Sequence, residues 1–509
     1  MTFEYPQSTC PACGLPIPAA YVRHGNAVYL EKSCPEHGPS CILASEDAVA
    51  FERWLASPSV TVPPRIVLTE GSAPCDLQRH TTQRATSTAC PHHCGPCPDH
   101  LMTACCVLLN VTSRCNQRCS YCFANAGEEA PTDPPLADIA LWLDRLIALG
   151  EERKFNLQLS GGEPTVRPDL PDIIRLCKDK GFEYVQLNTN GKLLAEDPAY
   201  AKTLKAAGLT TVFMQFDGVS DEVHIAMRGE RMFETKKAAI MNCAVAGLPV
   251  TLVPTMLKST ADQIGPIIDF MLENISVVKG VHFQPAAFFG RHPDERNADG
   301  DYDERLTMFA VMDEIEKQTG GRISKADLAP ITTGHPLCCF CAAFMKEADG
   351  TLRPLSSGGS CCDPALAPFA ADPLEIIRRD RDFVLNKWDV HAPNEPPCCP
   401  PPELCVEHRR CEAEQGVFES EAAAELCEAV ASLSAEPLRT RHKARFGTMS
   451  FDEAISSFKR SSFTISGMPF MDETNLDAER LRRCRVQVYS PDDRLIPFCA
   501  YYAKTGETP

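Results

Sequence analysis

The stretch Asn110–Phe123, NVTSRCNQRCSYCF, places Cys115, Cys119 and Cys122 at the spacing C-x3-C-x2-C. Three thiolates on a short loop of mostly small or polar residues can bind three irons of an iron–sulfur cube. The fourth iron would then lack a local protein ligand and could bind an exogenous molecule. A zinc knuckle and an ordinary electron-transfer cluster are the alternatives for this spacing. The residues around the loop distinguish between them.

The chain has 509 residues and a formal net charge of -18, a length that allows about two to four domains. The negative charge argues against nucleic acid as a partner and against a polybasic membrane anchor, since both need clustered Lys and Arg. The N-terminus MTFEYPQSTCPACG has no basic or apolar leader region, and no run of about 18 apolar residues occurs. We therefore expect a cytoplasmic protein without a transmembrane segment, whose contact with a membrane would be peripheral.

The chain contains 27 cysteines and 42 prolines. Disulfides are not expected in a reducing compartment, so metal sites are the better explanation for the cysteines. Many prolines stand directly beside cysteines, and proline disfavours helix interiors. The Cys-rich segments are therefore predicted to be rigid loops that present metal ligands.

Two short ligand pairs lie near the N-terminus, Cys10-x2-Cys13 and Cys34-x2-His37. The segment between them, AAYVRHGNAVYLEK, alternates apolar and polar residues around a His-Gly-Asn turn, which predicts two strands and a hairpin. This pattern is typical of a zinc ribbon with a structural role. With Cys41 nearby, a four-cysteine site holding one iron, as in rubredoxin, is the alternative.

A second triplet, Cys90, Cys94 and Cys97, repeats the C-x3-C-x2-C spacing. Spacing alone therefore does not identify the reactive triplet. This triplet follows no strand signal, and Cys105 or Cys106 lies close enough in sequence to supply a fourth ligand. We predict a fully ligated accessory cluster here, and a second zinc site that uses the neighbouring histidines is the alternative.

The cysteine loop begins a regular alternation of strand-like and helical patterns. Helical segments such as residues 138–150, each with an acidic residue near its start, separate six apolar runs. Six such units predict a parallel, barrel-like sheet whose ligands gather at the carboxyl ends of the strands. The apolar runs are residues 107–111, 155–160, 184–189, 211–216, 249–256 and 280–285.

Polar residues end several of these runs, where they would be costly unless paired with a ligand. A Gly-Gly-Glu-Pro sequence is by itself only a turn, but here it follows the strand next to the cysteine loop. Its two glycines let the backbone approach a ligand closely. The predicted cofactor-binding residues are Gly161, Gly162, Glu163, Pro164, Asn188, Thr189, Asn190, Gln215, Asp217 and Gln284.

The cysteine loop, the GGEP turn and the six strand–helix units together resemble the radical S-adenosylmethionine (SAM) superfamily over about residues 107–290. The resemblance implies an α/β fold, a partial (β/α)6 TIM-like barrel, flanked by Cys-rich metal-binding segments. It implies a 4Fe-4S cluster on Cys115, Cys119 and Cys122, which would be the catalytic centre. SAM would bind the open iron, with the backbone of the GGEP turn near its amino group. An external donor such as a ferredoxin or flavodoxin would supply the electron that yields a 5'-deoxyadenosyl radical.

The runs LQLSGGEPTVRPDLP and HFQPAAFFGR and the C-terminal tail more closely resemble tetraether lipid synthases and hydroxymethylpterin methylases. That resemblance implies one or two accessory 4Fe-4S clusters and a mononuclear Zn or Fe site. Our first expectation is carbon–carbon bond formation between lipid alkyl chains, through an apolar tunnel near Phe288 and Phe289. Methylation of a pterin precursor is the alternative, and a non-catalytic iron–sulfur electron carrier is the alternative from another class.

The C-terminal third contains twelve cysteines, more than one cluster needs. Cys484 and Cys499 are the preferred ligands because they lie in the tail that carries the resemblance. Cys338 and Cys361 are chosen from adjacent pairs. The predicted domains are a small zinc-ribbon or rubredoxin-like domain (1–62), an accessory cluster segment (63–106), the radical SAM barrel (107–321) and a C-terminal accessory cluster domain (322–509).

Overall fold

The computed structural model describes residues 6–59, 61, 100–127, 132–149, 155–297, 300–331, 333–355, 460–491 and 493–503. Two sheets organise these residues, one of four strands near the N-terminus and one of thirteen strands. Within the described ranges, no helix combines the length and apolarity needed to cross a bilayer.

The N-terminal residues form a small antiparallel ribbon. Its elements are β1 (Gln7–Thr9), β2 (Pro16–His24), β3 (Ala27–Cys34), β4 (Gly38–Ser45) and α1 (Ala48–Leu55). The strands pair in the order β1-β2-β3-β4, and alternate side chains such as Tyr21 and Leu30 are buried. Gly25 makes the turn between β2 and β3 with φ +62°, a value that favours glycine. The predicted hairpin is confirmed.

Six parallel strands form the core of the larger sheet. They are β5 (Cys106–Thr112), β6 (Asn156–Gly161), β7 (Val185–Thr189), β8 (Thr211–Gln215), β9 (Val250–Val253) and β11 (Val278–Pro285), with a short β10 (Thr255–Met256) beside β11. Their order, β5-β6-β7-β8-β9-β11, follows the chain. Each of the six predicted apolar runs overlaps one of these strands. The partial barrel implied by the sequence is confirmed.

Helices follow the strands and cover the outside of the sheet with apolar faces. They are α2 (Leu136–Leu149), α3 (Leu170–Asp179), α4 (Lys192–Glu196), α5 (Pro198–Ala207), α6 (Asp221–Arg228), α7 (Phe233–Val245), α8 (Ile264–Glu273) and α9 (Met308–Gln318), with 3-10 turns at Pro164–Val166, Lys258–Gln263 and Pro336–Cys338. Local signals set their ends. Asp197 caps the first turn of α5 through Ala199 N, and Gly208 ends that helix at φ +104°.

The C-terminal part of the chain completes both edges of the barrel sheet. Its elements are β12 (Ala329–Pro330), β13 (Phe340–Lys346), β14 (Leu352–Pro354), β15 (Ser462–Gly467), α10 (Ala478–Arg482), β16 (Val486–Ser490), β17 (Arg494–Pro497) and α11 (Phe498–Ala503). β15 pairs with β11 at one edge and β16 pairs with β5 at the other, both in parallel. Residues 468–485 therefore connect the two edges of the partial barrel.

The ribbon packs against these C-terminal elements through buried hydrogen bonds. Trp54 Nε1 donates to Pro336 O at 2.7 Å, and the Tyr21 hydroxyl donates to Asp477 Oδ2 at 3.0 Å. Both aromatic side chains are almost fully buried, and a buried indole or phenol needs such a partner. The ribbon is therefore held on the barrel by specific polar contacts as well as by apolar packing.

Candidate active site

The cysteine loop, residues 113–127, follows β5 at the carboxyl end of the barrel sheet. Cys115, Cys119 and Cys122 are each half-buried on it. Backbone hydrogen bonds attach the loop to itself and to two distant segments, which holds the three thiols in place. These bonds run from Cys115 N to Gly127 O (3.1 Å), from Ser120 N to Met227 O (3.0 Å) and from Cys122 N to Arg291 O (2.8 Å).

The three thiols of this loop suit an iron–sulfur cube better than a single metal ion. Burial raises the pKa of Cys115 to about 12, and the neighbouring Cys119 and Cys122 raise it further, so the three thiols face a common space. Among the described residues, one set of metal-ligating side chains has ligand atoms that all lie within 4.8 Å of one another. The three cysteines of the loop do not belong to that set. Thiolates on different irons of a cube stand farther apart than ligands that share one ion. The loop therefore fits a 4Fe-4S cluster.

The two glycines of the GGEP turn allow the end of β6 to press against the start of the cysteine loop. Gly162 N donates to Thr112 O at 2.8 Å, and Glu163 N donates to Arg114 O at 2.9 Å. A Cβ on Gly161 would lie closer than 3.0 Å to Thr112 O, and one on Gly162 equally close to Arg114 O. Gly161 also has φ +121°. This close approach requires glycine at both positions.

The side chain of Glu163 joins the GGEP turn to the end of β7. Its Oε1 accepts hydrogen bonds from the Thr165 and Thr189 hydroxyls, both at 2.7 Å. Its Oε2 accepts from Asn190 N at 2.6 Å. Pro164 begins the following 3-10 turn and is buried. Protein donors therefore occupy both carboxylate oxygens of Glu163.

The predicted amide residues lie at or near strand ends. Asn188 and Gln215 are half-buried, and Asn188 Nδ2 donates to Gln158 Oε1 on the neighbouring strand at 3.4 Å. Gln284, also half-buried, lies near the end of β11. The structure thus brings the strand-end residues of β7, β8 and β11 to the same edge of the sheet as the cysteine loop.

Asp217 forms a buried ion pair that sequence reasoning did not anticipate. Arg228, the last residue of α6, donates to both carboxylate oxygens of Asp217 at 2.7 Å. It also donates to Tyr121 O and to Thr255 Oγ1, each at 2.9 Å. Burial raises the pKa of a carboxyl, but the guanidinium outweighs this effect and holds the pKa of Asp217 below its usual value. Asp217 therefore orients an arginine on the cysteine loop.

A second unanticipated cation, Lys236 on α7, links two of the strand ends. Its fully buried ammonium donates to Asn190 O at 2.5 Å and to Gln215 Oε1 at 2.8 Å. Burial lowers the pKa of Lys236 to about 7. A lysine on an otherwise ordinary helix gives no sequence signal for this contact.

The sequence Gly290-Arg291, after β11, holds the cysteine loop from the opposite side. Arg291 Nε donates to Cys119 O at 2.7 Å, and Nη2 donates to Ala126 O at 3.2 Å. Gly290 has φ +55°, and a Cβ there would lie 2.6 Å from Cys122 O. In the sequence, the Gly-Arg pair after a strand end was the one available signal for this contact. The loop that the pair contacts is about 170 residues away.

The ribbon contains the predicted mononuclear metal site. The ligand atoms of Cys10, Cys13, Cys34 and His37 all lie within 4.8 Å of one another. His37 Nδ1 lies 3.5 Å from the Cys34 sulfur and holds the pKa of that thiol near 6. Cys41 is not part of this group. The set of three cysteines and one histidine is the combination found in structural zinc sites.

Replacement of Cys10 by serine is expected to remove one bound metal ion per chain and to destabilise the ribbon, because metal binding contributes directly to the folding free energy of small domains. Metal analysis and limited proteolysis of the purified protein measure both effects. Cys41→Ser is the matched control in the same sheet, and it should retain the ion. Loss of the ion from Cys41→Ser would instead support the rubredoxin-like set of four cysteines, in which Cys41 takes the place of His37.

Three of the C-terminal cysteines converge although they are far apart in sequence. Cys338 and Cys499 both raise the pKa of the buried Cys484 thiol, beyond the increase that burial causes. Arg480 Nε lies 3.5 Å from the Cys338 sulfur, and Met471 N donates to the Cys499 sulfur at 3.2 Å. A cluster at this position would have both a cation and a backbone donor beside its thiolates.

The other predicted accessory ligands are not brought together among the described residues. Cys105 is half-buried, and its thiol lies 3.6 Å from Arg485 O. Cys90, Cys94, Cys97 and Cys361 lie outside the described residues. Their assignment as ligands stays a prediction.

Phe288 and Phe289 are packed inside apolar clusters. Phe288 stacks on Tyr302 with ring centroids 3.9 Å apart, and Phe289 packs against Phe498. Both are almost fully buried, so they do not line the expected tunnel. A pocket lies between the ribbon and the end of β11. Its lining includes Tyr21, Phe51, Pro285, Phe309, Phe470 and Arg480.

Comparison with known proteins places this site. The model of the Radical SAM superfamily matches residues 109–271, and that of the HMPTM N-terminal zinc ribbon domain matches residues 2–46. The chain is 31% identical to the 7,8-dihydro-6-hydroxymethylpterin dimethyltransferase of Methanocaldococcus jannaschii over 97% of its own length and 92% of that protein. The chain belongs to the radical SAM superfamily. Within it, the chain belongs to the family of that dimethyltransferase.

Other relatives match smaller parts of the chain. The Fe-coproporphyrin III synthase of Methanosarcina barkeri is 33% identical over 33% of this chain and 41% of that protein. The crystal structure of Streptococcus suis SuiB bound to S-adenosylmethionine has a TM-score of 0.33 at 16% identity, covering 45% of this chain and 47% of that one.

Radical SAM chemistry assigns roles to the geometry above. A 4Fe-4S cluster with bound SAM supplies the one-electron cleavage that produces a 5'-deoxyadenosyl radical. The chain's own residues hold the thiols of the cysteine loop in position from three sides, through the GGEP turn, through Arg228 and through Arg291.

Proposed function

We propose that this radical SAM enzyme methylates a reduced pterin, using the cluster on Cys115, Cys119 and Cys122. The observation that carries the proposal is the similarity, over nearly the whole chain, to a protein named as a 7,8-dihydro-6-hydroxymethylpterin dimethyltransferase. The lipid-coupling reaction that the sequence first led us to expect has no support among the relatives described above. The packing of Phe288 and Phe289 offers none either.

The polarity of the barrel interior supports a polar heterocycle as substrate. The rings of Phe213 and His282 meet 5.4 Å apart although β9 separates their strands, so both point into the barrel. His282 Nδ1 lies 2.9 Å from Ser466 Oγ. Together with the strand-end amides, these groups offer donors, acceptors and an aromatic surface, which a pterin ring can use. A space of this kind would not favour an alkyl chain.

Methylation at an unactivated carbon requires that one C–H bond break. The hydrogen atom passes to the 5' carbon of the deoxyadenosyl radical, which gives 5'-deoxyadenosine and leaves a radical on the pterin carbon that is to be methylated. In this proposal, Asn188, Thr189, Asn190, Gln215 and Gln284 hold SAM and the pterin at the carboxyl ends of the strands.

The accessory centres complete the proposal. We assign one 4Fe-4S cluster to Cys338, Cys484 and Cys499, whose thiols converge in the structure. A ferredoxin or flavodoxin provides the electron, and accessory clusters relay it or hold part of the substrate.

The test is incubation of the anaerobically reconstituted enzyme with SAM, dithionite and 7,8-dihydro-6-hydroxymethylpterin deuterated at its ring carbons. The proposal predicts that the pterin increases formation of 5'-deoxyadenosine and that deuterium enters it, as read by mass spectrometry. Hydrogen transfer does not depend on the methyl donor, so the assay is informative before that donor is identified.

A parallel reaction with archaeal-type membrane lipids, deuterated along their alkyl chains, provides the comparison. If deuterium appears in 5'-deoxyadenosine from the lipid and none from the pterin, the pterin assignment is wrong and lipid coupling is correct. If no 5'-deoxyadenosine forms under any condition while the cluster is intact, the enzyme assignment itself fails.

A further inference from the structure

The Arg228–Asp217 ion pair lies beside the cysteine loop, near the proposed cluster ligand Cys119. Arg228 is 6% exposed and Asp217 is 0% exposed, and two parallel hydrogen bonds of 2.7 Å join them. A third nitrogen, Nη1, donates to Tyr121 O at 2.9 Å, between the second and third cysteines of the loop. The positive charge of this guanidinium lowers the pKa of the nearby Cys119 thiol, which opposes the increase that burial causes.

Simple anchoring of a helix does not account for this arrangement. Removing two charges from water costs several kcal/mol per ion, and a well-packed apolar pair of similar volume is often at least as stable. Arginine keeps its proton under all conditions that a protein tolerates. Arg228 therefore maintains a permanent positive charge, held in one orientation by Asp217, on the cysteine loop between Cys119 and Cys122.

The positive charge of Arg228 affects the balance of charge around Cys119. Two cations, Arg228 and Lys236, and two carboxylates, Asp217 and Glu163, interact electrostatically in this part of the barrel. Their formal charges cancel, so removal of the arginine charge leaves an excess of negative charge beside the thiolate. Reduction of a cluster adds one more negative charge, and the cost of that charge depends on the local balance.

We propose that Arg228 is a positioning residue whose charge, fixed on the cysteine loop at the Tyr121 carbonyl, raises the electron affinity of the cluster. Hydrogen bonds to the sulfurs and the net charge around a cluster set its reduction potential. By stabilising the reduced cluster, Arg228 makes the electron transfer that precedes SAM cleavage easier. The inference rests on the assignment of the cluster to Cys115, Cys119 and Cys122.

The test is an anaerobic redox titration of the reconstituted enzyme without SAM, followed by electron paramagnetic resonance. Arg228→Gln is expected to keep its cluster iron and to show a tenfold lower ratio of reduced to oxidised cluster at a set potential, which is about 59 mV for one electron. Arg228→Lys, which keeps the charge, should fall close to the unmodified protein. Arg175→Gln, on the exposed face of α3, is the control and should change nothing.

Asp217→Asn provides a second test of opposite sign. It removes a negative charge and leaves the arginine, so the cluster should become easier to reduce. If Arg228→Gln fails to bind iron, the reduction potential of Asp217→Asn tests the proposal by itself. Loss of the cluster from Cys119→Ala, with iron content measured in the same way, checks the assignment of the loop separately.

Two results would overturn the proposal. The first is an unchanged potential in both Arg228→Gln and Asp217→Asn, with cluster iron retained, because the pair would then only anchor the loop. The second is an unchanged potential in Arg228→Gln combined with a raised KM for SAM. In that case Arg228 contacts SAM itself and has no effect through Cys119.

Discussion

Cys119→Ala is expected to abolish formation of 5'-deoxyadenosine from SAM. Cys119 is the middle one of the three loop cysteines. Arg291 donates to its carbonyl, and Arg228 donates to the carbonyl of Tyr121, two residues further on. Without its thiolate the cube loses one of three ligands, and no other iron offers a free site beside the GGEP turn. The measurement is product analysis after incubation with SAM and dithionite, with iron content determined in parallel.

Two variants serve as comparisons for this prediction. Cys177→Ala removes a fully buried thiol on α3, where a free cysteine acts as a small apolar residue, and should leave cleavage intact. Cys94→Ala should lower bound iron by about four atoms if its cluster is a cube but retain some cleavage when dithionite supplies the electron. If Cys94→Ala abolishes cleavage while an equally well folded Cys119→Ala retains it, the two triplets have been assigned in the wrong order. Matched circular dichroism spectra are needed, since metal sites contribute to folding.

Gly162→Ala is expected to have a comparably large effect without removing any ligand. Its new Cβ would lie closer than 3.0 Å to both carbonyl atoms of Arg114 and 3.0 Å from Ser113 O. The backbone on both sides of this contact cannot move aside as a flexible side chain can. The free-energy cost of the substitution should therefore exceed the ~1–3 kcal/mol of ordinary overpacking. The loop would move relative to the GGEP turn, and both SAM binding and cluster retention should fall at least tenfold.

Gly127→Ala is the matched control for this substitution. Gly127 also belongs to the cysteine loop, but a Cβ there would meet nothing within 4 Å. SAM binding measured by equilibrium dialysis, together with iron content, should therefore remain near that of the unmodified protein. Equal losses in both variants would show that the loop tolerates no substitution, and the close contact with the GGEP turn would not be the cause.

Local patterns were sufficient to predict the barrel, since its signals depend on neighbouring residues. The apolar run at 184–189 contains β7, and the run at 211–216 contains β8. The exception is the run at 249–256, which the structure divides into β9 and β10 at Pro254, because proline has no N–H to continue a ladder. The ribbon was predictable for the same reason, since its ligand spacing and its turn are both local.

Motif position also located the GGEP turn correctly, but the role of its glutamate needed the structure. Glu163 is one of many acidic residues in the sequence, and only the folded chain places it between Thr165 and Thr189. The C-terminal cysteines show the same limit. Cys338 and Cys484 are 146 positions apart by number, and their approach depends on β15 and β16 completing opposite edges of one sheet.

The sequence by itself indicated radical SAM chemistry, because the ligand spacing of the cysteine loop, the glycines beside it and the ribbon pairs are all encoded within short segments. The tertiary structure alone decided which charges surround the cysteine loop. Arg228 is 109 positions from Cys119 by number, and Arg291 is 172 positions away. Such distant side chains reach the loop only after the parallel strands have brought their carboxyl ends together. The electrostatic environment of the loop is therefore a property of the fold.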